Sequence, residues 1–316
     1  MQTKRLAVYN DPISGAVNNQ YRTLPDEFVQ PMLAMVVGTR TAGKSYLASV
    51  FLKQSQKHHL FDRVYIITPS MNSNRAYFGD YIKDEDVFEP TKSSIADVIK
   101  EVEKDRDDWE TYLEDMKMYK KFKSDFSKNR PIDDYDLINY YQKNFFKEAP
   151  VWKYYATNGG FNEPPKSLLI LDDIIGSPSI SQSSGLSKIA TLNRHIAPLK
   201  ENFTDSAGNI RSASGLSVLI LSQSYRFQNG ISRILRENLS VLILFKNKQE
   251  KIMATLKEEL CSVIDEDMFD KAYEYATRTE YGNLSIDLKP KCVTKTFRKN
   301  LNEIIIFPDM KCTCKK

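Results

Sequence analysis

The sequence predicts an α/β fold built on a doubly wound, mostly parallel sheet. Three observations predict it. Five short apolar runs, at 33–37, 64–68, 167–171, 218–221 and 241–245, are continuous rather than alternating. Continuous runs of this kind are strands buried on both faces, as in a parallel sheet covered by helices. Helical patterns fall between the runs, at 45–58, 184–199 and 230–238, which makes a βαβ series. Finally, the first run leads directly into a glycine-containing octet and then a helix, the strand–turn–helix order of a phosphate-binding loop.

Taken in order, residues 1–30 read as an N-terminal extension and 31–300 as the main domain. Between the second and third core strands lies a helical insertion, 83–150, bounded by Pro90 and Pro150. It is dense in Asp, Glu, Lys and aromatic residues. Val98, Val102, Trp109, Tyr112, Met116 and Tyr119 approximate helical spacing. It is either a solvated decoration of the core or a docking surface for a partner. A second insertion, 200–215, is polar and glycine-containing, carries Arg211, and reads as a loop. Two helices follow, at 248–261 and 266–278. Tyr281-Gly282-Asn283 reads as a turn before a strand at 284–288, and 301–316 reads as a tail.

The octet Gly38-Thr39-Arg40-Thr41-Ala42-Gly43-Lys44-Ser45 fits G-x-x-x-x-G-K-[ST]. Gly38 and Gly43 let the backbone bend so that successive N–H groups face phosphates. The following helix adds the positive end of its dipole. Lys44 is placed to reach the β- and γ-phosphates, and Ser45 to offer its hydroxyl to Mg²⁺. The expected ligand is a nucleoside triphosphate, taken as ATP with Mg²⁺.

Two further strand ends carry polar chemistry. The run at 167–171 ends in Asp172-Asp173. Charges on a buried parallel strand belong at its exit, where ligands bind. Asp172 is the candidate Mg²⁺ ligand, and Asp173 the candidate general base that polarises water. The strand at 216–221 ends in Ser222-Gln223-Ser224. The Gln223 amide can bridge a γ-phosphate and the attacking water.

Composition narrows the class. Among 316 residues, 41% are hydrophobic and 27% charged, which permits a real core, and the net charge of +4 permits nucleic-acid contact without arguing for it. Four cysteines (Cys261, Cys292, Cys312, Cys314) show no framework spacing, which suggests a reducing compartment. Three histidines (His58, His59, His195) argue against a His-rich zinc site. No apolar run approaches the ~20 residues that span a bilayer, and no signal-peptide pattern is visible. The expected location is the cytoplasm, or wherever a virus-like element assembles in a cell.

The ordered set of motifs resembles the FtsK–HerA superfamily of P-loop ATPases. The set comprises the GKS loop, the acidic strand end, Arg194-His195 on the next helix, the Ser222-Gln223 strand end, and the segment 231–245. Within it, Leu171-Asp172-Asp173, Leu192-Asn193-Arg194-His195 and Tyr281 to Asp287 are similar to the genome-packaging ATPases of large DNA viruses, virophages and polinton-like elements. The resemblance covers about residues 30–300. It implies a RecA-like sheet with the Gln223 strand between the P-loop strand and the acidic strand. It implies a homo-oligomeric ring that hydrolyses ATP to move double-stranded DNA into a preformed capsid, docked on a capsid component or packaging vertex. The implied setting is the host-cell cytoplasm or a viral factory, or association with the virion. A cellular or plasmid DNA motor of the same superfamily, or a nucleotide-gated scaffold with little turnover, is the alternative. The resemblance further implies an arginine that enters the neighbouring subunit's site. Arg194 matches that position, with Arg211, Arg233 and Arg236 as other choices. The chain departs from the pattern twice. Many relatives carry Asp-Glu at the acidic pair, so the shorter Asp173 must approach more closely or act through a second water. Residues 200–215 also separate the arginine helix from the Gln223 strand.

Overall fold

The computed structural model describes residues 2–5, 28, 30–174, 184–205, 210–225, 232–247, 250–260, 264–290, 292–308 and 310. The described strands form a ten-stranded sheet and a separate two-stranded ribbon. In chain order the strands of the large sheet are β1 (Gln2–Arg5), β2 (Leu33–Val37), β3 (Arg63–Ile67), β4 (Val87–Phe88), β5 (Ser167–Asp172), β8 (Leu216–Ser222), β9 (Val241–Phe245), β10 (Asn283–Asp287), β11 (Phe297–Lys299) and β12 (Glu303–Ile306); β6 (Pro198–Thr204) and β7 (Ile210–Ala213) form the ribbon.

The spatial order is β1-β12-β11-β10-β9-β2-β8-β5-β3-β4. All pairings from β9 through β4 are parallel. Those from β9 outward to β1 are antiparallel. The fold is therefore the doubly wound, mostly parallel α/β sheet that the apolar runs predict. The Gln223 strand, β8, lies between the P-loop strand β2 and the acidic strand β5, which is the RecA-like order. The strand expected at 284–288 is β10, the first of the antiparallel extension; β11 and β12 were not legible, because they are only three and four residues long.

Alternate residues of the parallel strands feed two cores. Met35, Val37, Leu169, Leu171 and Ile220 face one core; Val36, Ile66, Leu168, Ile170 and Leu221 face the other. Helix α1 (Lys44–Lys57) covers the second face with Leu47, Ala48, Phe51 and Leu52. The first face is covered by Ile95, Val98, Ile99 and Val102, by Ile189 and Ala190, and by Phe269, Ala272 and Ala276. Truncating a fully buried leucine such as Leu169 would cost ~2–5 kcal/mol.

After β3 comes α2 (Met71–Phe78), which had no clear signal in the sequence, and then β4. Helix α3 (Ser94–Ser127) has 34 residues, about 51 Å at the α-helical rise. Its first turns belong to the main core. Further along, Trp109 and Tyr112 pack with Trp152, and Phe122 packs with Tyr140 of α4 (Asp134–Gln142) and Phe145. Arg63 on β3 ties α3 to the sheet through Glu101 and Asp105 and also pairs with Asp86, just before β4, and Lys153 clasps Asp105 and Asp108. The helical insertion expected between the second and third core strands is present.

Two local expectations are corrected. Residues 200–215 are not simply a loop: β6 and β7 pair antiparallel there. The ribbon carries no strand alternation because little of it is covered. Leu199 and Phe203 pack on the α3 cluster, and the Phe203 ring stands edge-on to Trp109 at 5.7 Å. The helix expected to run to residue 199 ends earlier. Helix α5 (Ser184–Leu192) gives way to a 3₁₀ turn, Asn193–His195, and Ala197 takes φ 54° before Pro198 opens β6. Helix α6 (Arg233–Glu237) is capped by Ser232, whose Oγ accepts the Leu235 N–H at 3.2 Å. The remaining helices are α7 (Glu250–Leu260) and α8 (Glu266–Ala276). Among the described residues no helix is long and apolar enough to cross a membrane. Cys292 is buried, with its Sγ 3.1 Å from Thr294 Oγ1; Cys261, Cys312 and Cys314 lie outside the described residues.

Candidate functional site at the upper edge of the sheet

The parallel strands end on one edge of the sheet, here the upper edge, and the octet follows β2 there. The Gly38 N–H donates to Ser222 O at 3.1 Å, tying the loop to the end of β8. A Cβ on Gly38 would lie 3.0 Å from Phe245 Cβ and 3.1 Å from Ala42 Cβ, so a side chain would fill the cradle. Gly43 has φ 101°, a left-handed conformation that glycine adopts without steric cost. Helix α1 then starts at Lys44 with no side-chain cap and no acidic residue in its first turn. Its first N–H groups and dipole are thus left to an anion.

Lys44 is half-buried. Its ammonium donates to Gly38 O at 2.8 Å and Thr39 O at 3.0 Å. Burial lowers its pKa, while the charges of Asp173 and Asp172 act in the opposite direction. The Ser45 hydroxyl stands one residue on in the same first turn. Thr39, Arg40 and Thr41 are exposed along the loop, with Thr41 at φ 61°.

Asp172 is buried at the end of β5. Its Oδ2 accepts from Asn74 Nδ2 at 2.7 Å and Thr68 Oγ1 at 3.2 Å. Burial raises its pKa, opposed by the Thr68 bond and by Lys44 and reinforced by Asp173. A carboxylate held in place by two donors, with the second carboxylate of Asp173 beside it, is a fit place for a cation. Asn74 and Thr68 are supporting residues that sequence reading missed. They stand 98 and 104 positions from Asp172 and meet it only through the fold.

Asp173 leaves the strand at φ 51° and is exposed. That left-handed step turns its carboxylate out of the β5 pleat and toward β8. There Oδ1 accepts from Gln223 Nε2 at 2.8 Å. The candidate base and the candidate amide, 50 positions apart, are thus in direct contact.

The octet thus forms a glycine-rich loop between a buried strand and an uncapped helix N-terminus, with the acidic strand end and Gln223 on the same edge. No protein-family model and no curated protein sequence matches the chain. Among solved structures, it is similar to the genome packaging NTPase B204 of Sulfolobus turreted icosahedral virus 2 in complex with ATPγS, at 13% identity and TM-score 0.41, over 86% of this chain and 97% of that one. It is also similar to the cytoplasmic domain of the Thermomonospora curvata type VII secretion ATPase EccC, at 12% identity and TM-score 0.39, over 85% and 25%. A third similar structure is the pCW3 conjugation coupling protein TcpA with ATPγS, at 13% identity and TM-score 0.36, over 71% and 51%. At such identities the likeness is one of fold.

The arginines fall into two groups. Arg211 is tucked against backbone, donating to Pro164 O, Pro165 O and Ser214 O at 3.1, 3.2 and 2.9 Å. Arg236 is paired with Glu259, its Nε and Nη2 each 2.8 Å from a carboxylate oxygen. Arg233 is exposed and paired with Glu237. Arg194 is exposed and makes no ion pair among the described residues. It does not join the cluster at the upper edge. Its neighbour Asn193 donates to Pro31 O and Met32 O, where β2 begins. Arg194 therefore stands at the opposite, lower edge, near Lys289, whose pKa is lowered by burial and by the Arg194 charge.

Proposed function

We propose that this chain is an ATPase that cleaves the β–γ phosphoanhydride of ATP and uses the energy to translocate double-stranded DNA. The observation that carries the reading is the Asp173–Gln223 hydrogen bond of 2.8 Å, on the same edge as Lys44 and Asp172. A glycine turn that merely caps a helix does not require a base, an amide and a buried second carboxylate beside it.

The chain's groups divide the work. The loop from Gly38 to Ser45 binds the phosphates through its N–H groups, and Lys44 places its ammonium on the β- and γ-oxygens. The Ser45 hydroxyl and Asp172 would hold Mg²⁺, which would withdraw charge from those oxygens; Thr68 and Asn74 hold Asp172 in place. Asp173 accepts a proton from a water whose oxygen attacks the γ-phosphorus as the bond to the β-bridging oxygen breaks. Gln223 holds the Asp173 carboxylate and can donate its other amide hydrogen to the γ-phosphate. The positive end of α1 favours the accumulating charge.

The motor reading, with a homo-oligomeric ring and packaging of viral DNA against a capsid vertex, is supported by the motif order that resembles packaging ATPases. Arg194 is the arginine proposed to act in trans. Its place at the lower edge, away from its own P-loop, suits a head-to-tail contact between subunits.

The test is ATP turnover by the wild type and Lys44→Ala, with and without double-stranded DNA. Particle size is measured with a non-hydrolysable ATP analogue. DNA-stimulated turnover, lost in Lys44→Ala, is expected. Tight ATP binding with negligible turnover under both conditions would replace the motor by a nucleotide-gated scaffold.

A further inference from the structure

We propose that Tyr281 is the platform on which the nucleobase stacks. The inference rests on the nucleotide site proposed above and concerns the end of the ligand that the catalytic cluster does not touch.

The polarity of the site follows from strand order. Lys44, Asp172, Asp173 and Gln223 gather on the β8 and β5 side of the P-loop strand. The γ-phosphate belongs there, so the ribose and base run toward the other side of β2, where β9 and then β10 lie. Strand β10 is antiparallel to β9, with Asn283 opposite Phe245. The turn before β10 therefore lies on the upper edge, on the side away from the acidic pair.

Tyr281 occupies that turn. Its Cδ1 would be 3.3 Å from a Cβ built on Gly43, so the ring lies against the loop backbone one residue before Lys44. Yet 60% of the residue remains exposed. Its backbone is left-handed at φ 58°, which an L-residue adopts at a steric cost. The turn is held firmly, since a Cβ on the following Gly282 would fall 2.4 Å from Ala276 O. Its hydroxyl has no hydrogen-bond partner among the described residues. A large, exposed ring is thus fixed beside the phosphate loop. Packing alone does not explain it: a glycine would fit the backbone better, and the ring buries little. Aromatic stacking accepts any base, because every base has a π-face.

The test compares ligands with and without a base. Calorimetric titration with Mg-ATPγS and with Mg-tripolyphosphate would be run on the wild type, Tyr281→Ala, Tyr281→Gly, Tyr281→Trp and Lys44→Ala. Tyr281→Gly suits the left-handed backbone, which guards against a folding defect. Removing the ring should weaken Mg-ATPγS about tenfold and leave tripolyphosphate unchanged, and Tyr281→Trp should retain affinity for both ligands. Equal weakening of both ligands in Tyr281→Gly would mean that the ring only props the loop, and the proposal would fall. Unchanged Mg-ATPγS affinity in both ring-deletion variants, with binding lost in Lys44→Ala, would also overturn it. Full Mg-ATPγS binding by Lys44→Ala would remove the nucleotide site itself, and the base platform with it.

Discussion

The two edges of the sheet use similar residues for opposite ends. At the lower edge, where the parallel strands begin, polar side chains complete the backbone. Ser217 Oγ accepts the Met32 N–H and Ser240 Oγ accepts the Leu33 N–H. Asp62 accepts the Lys166 N–H at 2.8 Å, and Arg211 serves three carbonyls. At the upper edge, Asp172, Asp173 and Lys44 leave charge facing charge, and Gly43, Asp173 and Tyr281 have left-handed backbones. Polar groups that complete a backbone are structural. Charged groups left facing one another at the strand exits are the candidates for a ligand site. Arg194 and Lys289 are the exceptions at the lower edge, being cations without a carboxylate partner among the described residues.

That contrast can be broken by exchanging roles in experiment. The largest effect is expected for Arg194→Ala. A trans-acting arginine supplies about 10³–10⁵ in rate, so turnover should collapse while ATP binding persists. Mixing Arg194→Ala with Lys44→Ala subunits should restore part of the activity, since some interfaces then combine an intact loop with an intact arginine. No recovery at any ratio would return Arg194 to the structural side of the comparison. Next, Asp173→Asn should keep Mg-ATP affinity and lose about 10²–10⁴ in turnover. An equal loss of Mg²⁺-dependent binding would make Asp173 a metal ligand instead. The smallest effect on chemistry is expected for Arg211→Met. It should lower unfolding free energy by about 3 kcal/mol, because three buried carbonyls lose their donor, with nucleotide affinity unchanged. Denaturant titration beside nucleotide titration checks both halves, and weakened binding in a stably folded variant would dissolve the division between edges.

The upper edge was largely legible in sequence because its parts are local. Gly38 to Ser45 is contiguous, and Asp172, Asp173 and Gln223 each follow an apolar run. Reading polar residues at strand exits finds them. Thr68 and Asn74 were not legible, since nothing in their own neighbourhoods refers to Asp172. Tyr281 read only as a turn, because its relation to Gly43 depends on the antiparallel pairing of β10 with β9. The ribbon at 198–213 was missed because its packing needs only Leu199 and Phe203 against a helix some ninety residues earlier. The arginines were ambiguous for the same reason. Arg211, Arg233 and Arg236 look alike in sequence and differ in partners.

The strand register has a consequence for how far such a chain can vary in length. Asp172 opposes Leu221, and Leu171 opposes Ile220, so the Asp173–Gln223 contact is set by pairing within the sheet. The excursion from β3 to β5, with its long helix and two aromatic clusters, leaves that pairing untouched. Closing a flexible excursion of twice the length costs only about 0.6 kcal/mol more. Segments between strands can therefore lengthen at little entropic cost to the site. A single residue added inside β5 or β8 would send each side chain beyond it to the other face. The strand interiors, short as they are, are where the tolerance for insertion ends.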